Sequence, residues 1–228
     1  MSDTTSTVLL DIDTQVDFCA PEGALFVPDA DGYEIRHSQA ALVWWASEHG
    51  IPHIATADDH LITDPEISDE PDFASTFPPH CMRTSPGAEK VGWTRQRSPL
   101  VLGDEPLEAS RLAALSRERR EILILKRHFD CFTNPHTAAL ITELAPERVV
   151  VFGVATDVCV AAAIEGLLGL LTPAQIALVP AACAGLDVAG SKALIADWQR
   201  RGVVMSTIKQ ITGRMPTGVL SESTLDLE

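Results

Sequence analysis

Short runs of Val, Ile and Leu recur along the chain, separated by longer stretches in which apolar residues return every third or fourth position. Uninterrupted apolar runs are expected of parallel strands covered on both faces by crossover helices. The runs predict strands at 8–12, 51–57, 122–125, 149–152, 176–179 and 203–207, and the helical periodicity predicts helices at about 34–49, 134–144, 157–170 and 188–201. The alternation of the two describes an α/β three-layer sandwich on a six-stranded, mainly parallel sheet. Residues 58–120 break the rhythm: 58–79 is rich in acidic residues, Pro and Thr, and a basic helical stretch follows at 111–120. An insertion of that length inside a compact domain is usually functional. No internal repeat stands out, and the last dozen residues read as a polar tail.

With 228 residues, 46% apolar and 21% charged, the expectation is one core-forming domain over residues 1–228. Seventeen basic against thirty-two acidic residues leave a net charge of −15, which would repel a phosphate backbone or an anionic membrane. Five cysteines, at 19, 81, 131, 159 and 183, form no CxxC pair, and the odd number leaves at least one free thiol, a pattern of a reducing compartment. The start has neither the basic nor the apolar segment of a signal peptide, and no apolar run reaches the roughly 18 residues of a membrane span. These features point to a cytoplasmic protein.

Ligands of open parallel sheets sit beyond the carboxyl ends of the strands. Four chemically capable groups follow predicted strands there: Asp13, Asp58, Lys126 and the segment from Gly153 to Cys159. Cys159 lies about two residues into a predicted helix, behind a turn in which Thr156 or Asp157 can act as N-cap. The helix end favours a thiolate and lowers its pKa, and the same amides can receive an oxyanion. A free cysteine alone is more often a small core residue, and Asp13 alone also reads as a turn or helix cap. Together with Lys126 they resemble an activated nucleophile with a base and an electrostatic partner.

A second constellation is Asp58-x-His60 with His80, one carboxylate and two imidazoles that suit zinc, iron or manganese. Cys81, adjacent to His80, reads as structural, since neighbouring residues rarely both face one ion. Cys19, Cys131 and Cys183 and the histidines at 37, 49, 53, 128 and 136 show no such grouping.

These blocks resemble the isochorismatase-like cysteine hydrolases, and among them look most like nicotinamidases. The resemblance is carried by Leu9-Leu-Asp-Ile-Asp13-Thr-Gln-Val-Asp-Phe18, Thr56-Ala-Asp58-Asp-His60, Phe77-Pro-Pro-His80-Cys with Ser85-Pro-Gly-Ala-Glu89, Leu125-Lys126 with Phe129-Asp-Cys-Phe132, and Val151-Phe-Gly-Val-Ala-Thr-Asp-Val-Cys159-Val. It implies a catalytic triad of Asp13, Lys126 and Cys159, metal ligands at Asp58, His60 and His80, and a cis peptide between Val154 and Ala155. The oxyanion would sit on the amides of Ala155 and Cys159. Phe18 would line the substrate ring with Phe77, which stands where nicotinamidases usually carry Trp. Where many relatives place another His or a Ser after the D-x-H pair, this chain has Glu66, a conjectural further ligand, directly or through water.

The resemblance further implies hydrolysis of nicotinamide, and of pyrazinamide, to the acid and ammonia through a thioester, with a divalent metal, Zn2+ ahead of Fe2+ or Mn2+, on the pyridine nitrogen. That activity belongs to NAD salvage. The implied partner is a small-molecule amide, and self-association is left open. A rival reading is a related amidase for carbamoyl, ureido or maleamate-type substrates, with Arg83, Arg95 and Arg97 available to clamp a carboxylate; the metal residues and the net charge favour the neutral heteroaromatic amide. True isochorismatases do not use the cysteine, so Cys159 argues against that chemistry. A non-catalytic metal- or partner-binding module would not need the complete triad. A dinucleotide-binding oxidoreductase is excluded because Asp11-Ile-Asp-Thr-Gln15 stands where a GxGxxG turn would be.

Overall fold

The computed structural model describes residues 6–213; the expected polar tail lies outside the described residues. The apolar runs form the strands β1 (Thr7–Ile12), β2 (His53–Asp58), β3 (Leu100–Leu102), β4 (Glu121–Lys126), β5 (Arg148–Val154), β6 (Ile176–Ala184) and β7 (Val204–Met205). They make one sheet in the order β3-β4-β2-β1-β5-β6-β7, with every pair parallel. The sheet has seven strands, not the six expected. The addition, β3, lies inside the insertion; three residues at a half-exposed edge leave too short an apolar run to be read as a strand. β6 continues past Pro180 because the β5–β6 pairing shifts register there, Val151 facing Leu178 and Gly153 facing Cys183, so the proline sits in a bulge.

The helices are α1 (Val16–Cys19), α2 (Tyr33–Glu48), α3 (Ala109–Glu118), α4 (Thr137–Leu144), α5 (Cys159–Leu168), α6 (Val188–Arg200) and α7 (Ile208–Thr212). α2 packs on the sheet beside α7, and α3 packs beside α4. α5 is tied to α6, where Trp198 Nε1 donates to Glu165. Right-handed crossovers place α2 on one face and α3 to α6 on the other, which gives the three layers. β1 and β2 are buried throughout, and with β5 they hold the centre of the core. A smaller apolar cluster around Phe18, Val27, Cys81 and Ala155 lies under the long loops. No helix among the described residues is long and apolar enough to cross a membrane.

The second half of the insertion is fastened to the sheet by buried polar side chains. Asp11, wholly buried in β1, pairs with Lys90 Nζ at 3.0 Å and with His53 Nε2 at 3.5 Å, and accepts from Thr14 Oγ1 at 2.8 Å. Lys90 Nζ also donates to Thr56 O, and Gln96 Nε2 donates to His53 O and Ile122 O. Gln15 Nε2 donates to Asp58 O and Ala88 O, while its Oε1 accepts from Asp58 N. These bonds satisfy groups that an apolar core would leave unpaired, and they hold residues 88–96 along the sheet from the carboxyl end of β2 at Asp58 to its amino end at His53.

Burial pushes the Asp11 carboxyl up, but Lys90 and His53 outweigh it and hold the pKa below its usual value. Lys90→Met strands a buried carboxylate, so unfolding free energy should fall by about 3–5 kcal/mol in a denaturant titration at neutral pH, with most of it recovered in the Asp11→Asn/Lys90→Met double variant. Because the folded pKa is depressed, the pair's contribution is complete above the unfolded value of about 3.9 and is lost as pH falls through the folded one. The gap between wild type and Lys90→Met should therefore shrink on acidification; a gap independent of pH would contradict the pairing.

Candidate active site

Four adjacent strands, β4, β2, β1 and β5, end at one place. In β4 the buried positions are Ile122, Ile124 and Lys126, so the period of two that buries the isoleucines also buries the lysine. Asp58 is its in-register partner on β2. Lys126 Nζ lies 2.5 Å from Asp58 Oδ1 and 2.8 Å from Asp13 Oδ2, and all three side chains are fully enclosed. Asp13 follows β1 in a left-handed conformation, φ 48°, and its Oδ1 accepts from Thr56 Oγ1 at 2.6 Å.

Cys159 is the first residue of α5, 5% exposed, and its Sγ and a carboxylate oxygen of each of Asp13 and Asp58 lie within 4.8 Å of one another. Thr156 and Asp157 do not cap the helix: its cap residue is Val158, without a side-chain bond. Asp157 instead accepts from Leu186 N and Asp187 N, which ties the turn to the loop after β6. At Gly153, φ 135°, a Cβ would overlap the carbonyl oxygen of Ile12, so only glycine lets β5 run this close to β1. The Val154–Ala155 peptide is cis, and Ala155 O accepts from Val158 N and Val160 N.

The thiolate expected from the helix end does not survive burial. Desolvation raises the Cys159 thiol well above its ordinary value, Lys126 opposes this, and Asp13 and Asp58 add to it. Asp13 is raised too, by burial first, with Lys126 lowering and Asp58 raising it. Burial disfavours charge on Lys126, but Asp13, Asp58 and Cys159 outweigh that and keep it an ammonium. The resting arrangement is a neutral thiol beside an ion-paired carboxylate.

Asp58, His60, Glu66 and His80 each offer one donor atom within 4.8 Å of the others, and all four are buried. His60 Nε2 is 3.7 Å from Asp58 Oδ1 and 3.6 Å from Glu66 Oε1, and His80 Nε2 is 3.7 Å from Asp58 Oδ2. A tetrahedral ion with bonds of about 2.1 Å would space its donors by roughly 3.4 Å, so the cluster has the dimensions of a metal site. His80 Nδ1 bonds to Pro78 O at 2.7 Å and His60 Nδ1 to Asp64 Oδ2 at 3.3 Å, leaving both Nε2 atoms as donors to the centre. His60 Nε2 and Asp58 Oδ2 are buried without a hydrogen-bond partner. Burial disfavours charge on His60, yet Asp58 and Glu66 raise its pKa, so the cluster attracts a cation. The residues fit a divalent metal. The second trio of candidate donors, Asp13, Asp58 and Cys159, already has the Lys126 ammonium among it.

Between the two clusters opens a narrow recess, with a cavity volume of about 10 Å³, lined by Phe18, Phe77, His80, Glu66, Ala155 and Cys159, with Leu25, Val27, Val158 and Leu186 closing its apolar walls. No arginine lines it: Arg83 pairs with Asp59, Arg95 with Glu89, and Arg97 N bonds to the Glu121 carboxylate.

A family model for the isochorismatase domain matches residues 7–210. The chain belongs to the isochorismatase family. Over 81 residues it is 33% identical to the nicotinamidase/pyrazinamidase of Mycobacterium tuberculosis, a match that spans 36% of this chain and 41% of that relative. Among solved structures, the pyrazinamidase of Pyrococcus horikoshii in complex with zinc aligns with a TM-score of 0.65 at 22% identity, over 89% of this chain and 99% of that one. The N-carbamoylsarcosine amidase of Thermoplasma acidophilum aligns with a TM-score of 0.65 at 17% identity, over 90% and 97%. At these identities the two structures share the fold and carry no argument about substrate.

In this isochorismatase-family chain, the residues singled out from the sequence meet in one region: Asp13, Lys126 and Cys159 on one side, Asp58, His60 and His80 on the other, and Phe18 and Phe77 between them. Glu66 sits directly among the metal-type donors, not a water's length away. Asp64 and Thr56 were missed. The only available signal for Asp64 was its place four residues after His60. If Asp64 orients His60 for a metal, Asp64→Ala should weaken zinc binding about 10–100-fold in a competition titration with a chromogenic chelator, and unchanged affinity would remove it from the site.

Proposed function

We propose that this protein is a metal-containing cysteine amidohydrolase that converts nicotinamide, and pyrazinamide, to the acid and ammonia. The observation that carries this reading is the enclosed Lys126 ammonium joining Asp13 to Asp58 within reach of the Cys159 thiol, at the foot of an aromatic recess. Catalysis would begin with Asp13 taking the thiol proton as Cys159 Sγ attacks the amide carbon. The amides of Ala155 and Cys159 would hold the oxyanion, a role in which one donor is typically worth about 3–4 kcal/mol. Collapse breaks the C–N bond, and the proton on Asp13 leaves with ammonia. Water then attacks the thioester with Asp13 again as base, restoring the thiol and releasing the carboxylic acid.

The raised thiol fits this order of events, because a neutral Cys159 needs a base next to it at the moment of attack. Lys126 would hold Asp13 ionised until the proton arrives and would stabilise the developing thiolate. Asp58, His60, Glu66 and His80 would hold the metal, Zn2+ by this donor set with Fe2+ or Mn2+ also accommodated. Bound there, the ion supplies a Lewis acid for a ring nitrogen and so orients the amide towards Cys159. Phe18 and Phe77 would sandwich the ring. Such an activity belongs to NAD salvage, and the five free, buried thiols support a cytoplasmic setting.

The rival amidase reading has a structural relative in the N-carbamoylsarcosine amidase. It needs a cationic clamp for a substrate carboxylate, and none of Arg83, Arg95 and Arg97 lines the recess, Arg83 and Arg95 being paired with Asp59 and Glu89, while Glu66 faces it. Ammonia release across nicotinamide, pyrazinamide, maleamate and N-carbamoyl amino acids decides between them: the two heteroaromatic amides should be turned over, and chelator should remove the activity. Cys159→Ala should keep its metal and lose turnover by a factor on the order of 10⁴ or more. Preference for maleamate or a carbamoyl compound, or full turnover by Cys159→Ala, would overturn the assignment.

A further inference from the structure

A second, wider hollow adjoins the recess. It shares Val158 and Leu186 with the recess and is walled by Phe73 and Phe129, with Asp157 and Asp187 at the edge. A file of rings runs inward from this hollow: Phe73 meets Phe77 edge-on at 6.3 Å, Phe77 meets His80 edge-on at 6.1 Å, and His80 meets Phe18 at 5.2 Å. Phe73 differs from the others in being 59% exposed. It also holds a left-handed backbone, φ 55°, on a turn braced by Asp72, whose carboxylate accepts from the amides of Ala74, Ser75 and Thr76 and from the hydroxyls of Ser75 and Thr76. Phe73 thus joins the two hollows: it lines the outer one with Phe129 and meets edge-on the Phe77 that lines the inner one.

We propose that Phe73 and Phe129 form an outer subsite for the non-reacting side of the substrate, and that Phe73 determines which ring substituents are accepted. The proposal rests on the amidase reading. With the amide carbon at Cys159 and the ring nitrogen at the cluster of Asp58, His60, Glu66 and His80, ring carbon 5 of a nicotinamide is the atom that points away from both. A group on that carbon leaves the recess for the hollow. The phenyl walls suit an alkyl substituent. Asp157 and Asp187 are fixed by the backbone amides they accept, those of Leu186 and Asp187 on the first and that of Ala189 on the second, so their charge favours a cationic over an anionic terminus.

The test is calorimetric titration of zinc-loaded Cys159→Ala protein with nicotinamide and its 5-ethyl, 5-aminomethyl and 5-carboxy derivatives, alongside ammonia release from nicotinamide by the wild type. The 5-ethyl compound should bind at least as tightly as nicotinamide, and the 5-carboxy compound about tenfold more weakly than the 5-aminomethyl one. Adding Phe73→Ala should weaken the 5-ethyl compound about three- to tenfold and leave nicotinamide unchanged, with Phe73→Leu recovering most of the loss. Asp187→Asn, which keeps the cap on α6, should narrow the gap between cation and anion. The subsite is overturned if nicotinamide binds and 5-ethylnicotinamide does not, or if Phe73→Ala weakens both alike. Failure of the amidase reading shows differently, as nicotinamide itself left unbound and no ammonia released by the wild type.

Discussion

One buried ammonium organises this molecule's functional edge. Lys126 occupies a position whose alternation with Ile122 and Ile124 points it into the core, where an unpaired charge would cost several kcal/mol. Asp13 and Asp58 compensate it from two neighbouring strands. Asp58 then serves two clusters at once, Oδ1 towards Lys126 and Oδ2 towards His80. The nucleophile side and the metal side are therefore one electrostatic unit, and a change at either is felt at the other. The same enclosure that strengthens the ion pair raises the Cys159 thiol and keeps it neutral, which in the proposed reaction gives Asp13 the role of proton acceptor.

Main-chain geometry puts these groups within reach of each other. The edge works because the parallel strands finish together, β4 and β2 in register through Asp58 and Lys126, β1 and β5 through Ile12 and Gly153. Gly153 permits the closest of these approaches, and the turn after it delivers Cys159 at the first position of α5. Residues 88–96 complete the arrangement from the other side, anchored by the Asp11–Lys90 pair deep in the sheet. What reads along the chain as an irregular insertion thus supplies part of the wall of the site and is bonded to the central strands by buried polar groups.

Much of this was legible in advance where the physics is local. Apolar runs located the strands because burial on both faces demands them, and the carboxyl-edge rule located Asp13, Asp58, Lys126 and Cys159 before any contact was known. The parts that were not legible depend on contacts between residues far apart in sequence. β3 is recognisable only beside β4, since Leu100–Leu102 is too short to announce itself. Thr156 and Asp157 looked like caps, but Asp157 is claimed by amides twenty-nine and thirty residues away. Glu66 became a direct member of the metal-type cluster because the loop carrying it folds back until its carboxylate accepts from Phe129 N. The arginines near the metal segment looked available to a substrate, but none lines the recess, and Arg83 and Arg95 are paired with Asp59 and Glu89.

The sequence by itself determined the fold class, the family and which chemically capable side chains meet at the strand ends, because periodicity and motif order are properties of neighbouring residues. The tertiary structure decided the charge states and the shape of the recess. Whether a thiol is a thiolate depends on how much water and which charges surround it, and in this fold burial outweighs the helix end. Which ring faces the substrate depends on where Phe18, Phe77 and Phe73 meet across loops, and that is settled only once the sheet has brought its strand ends together.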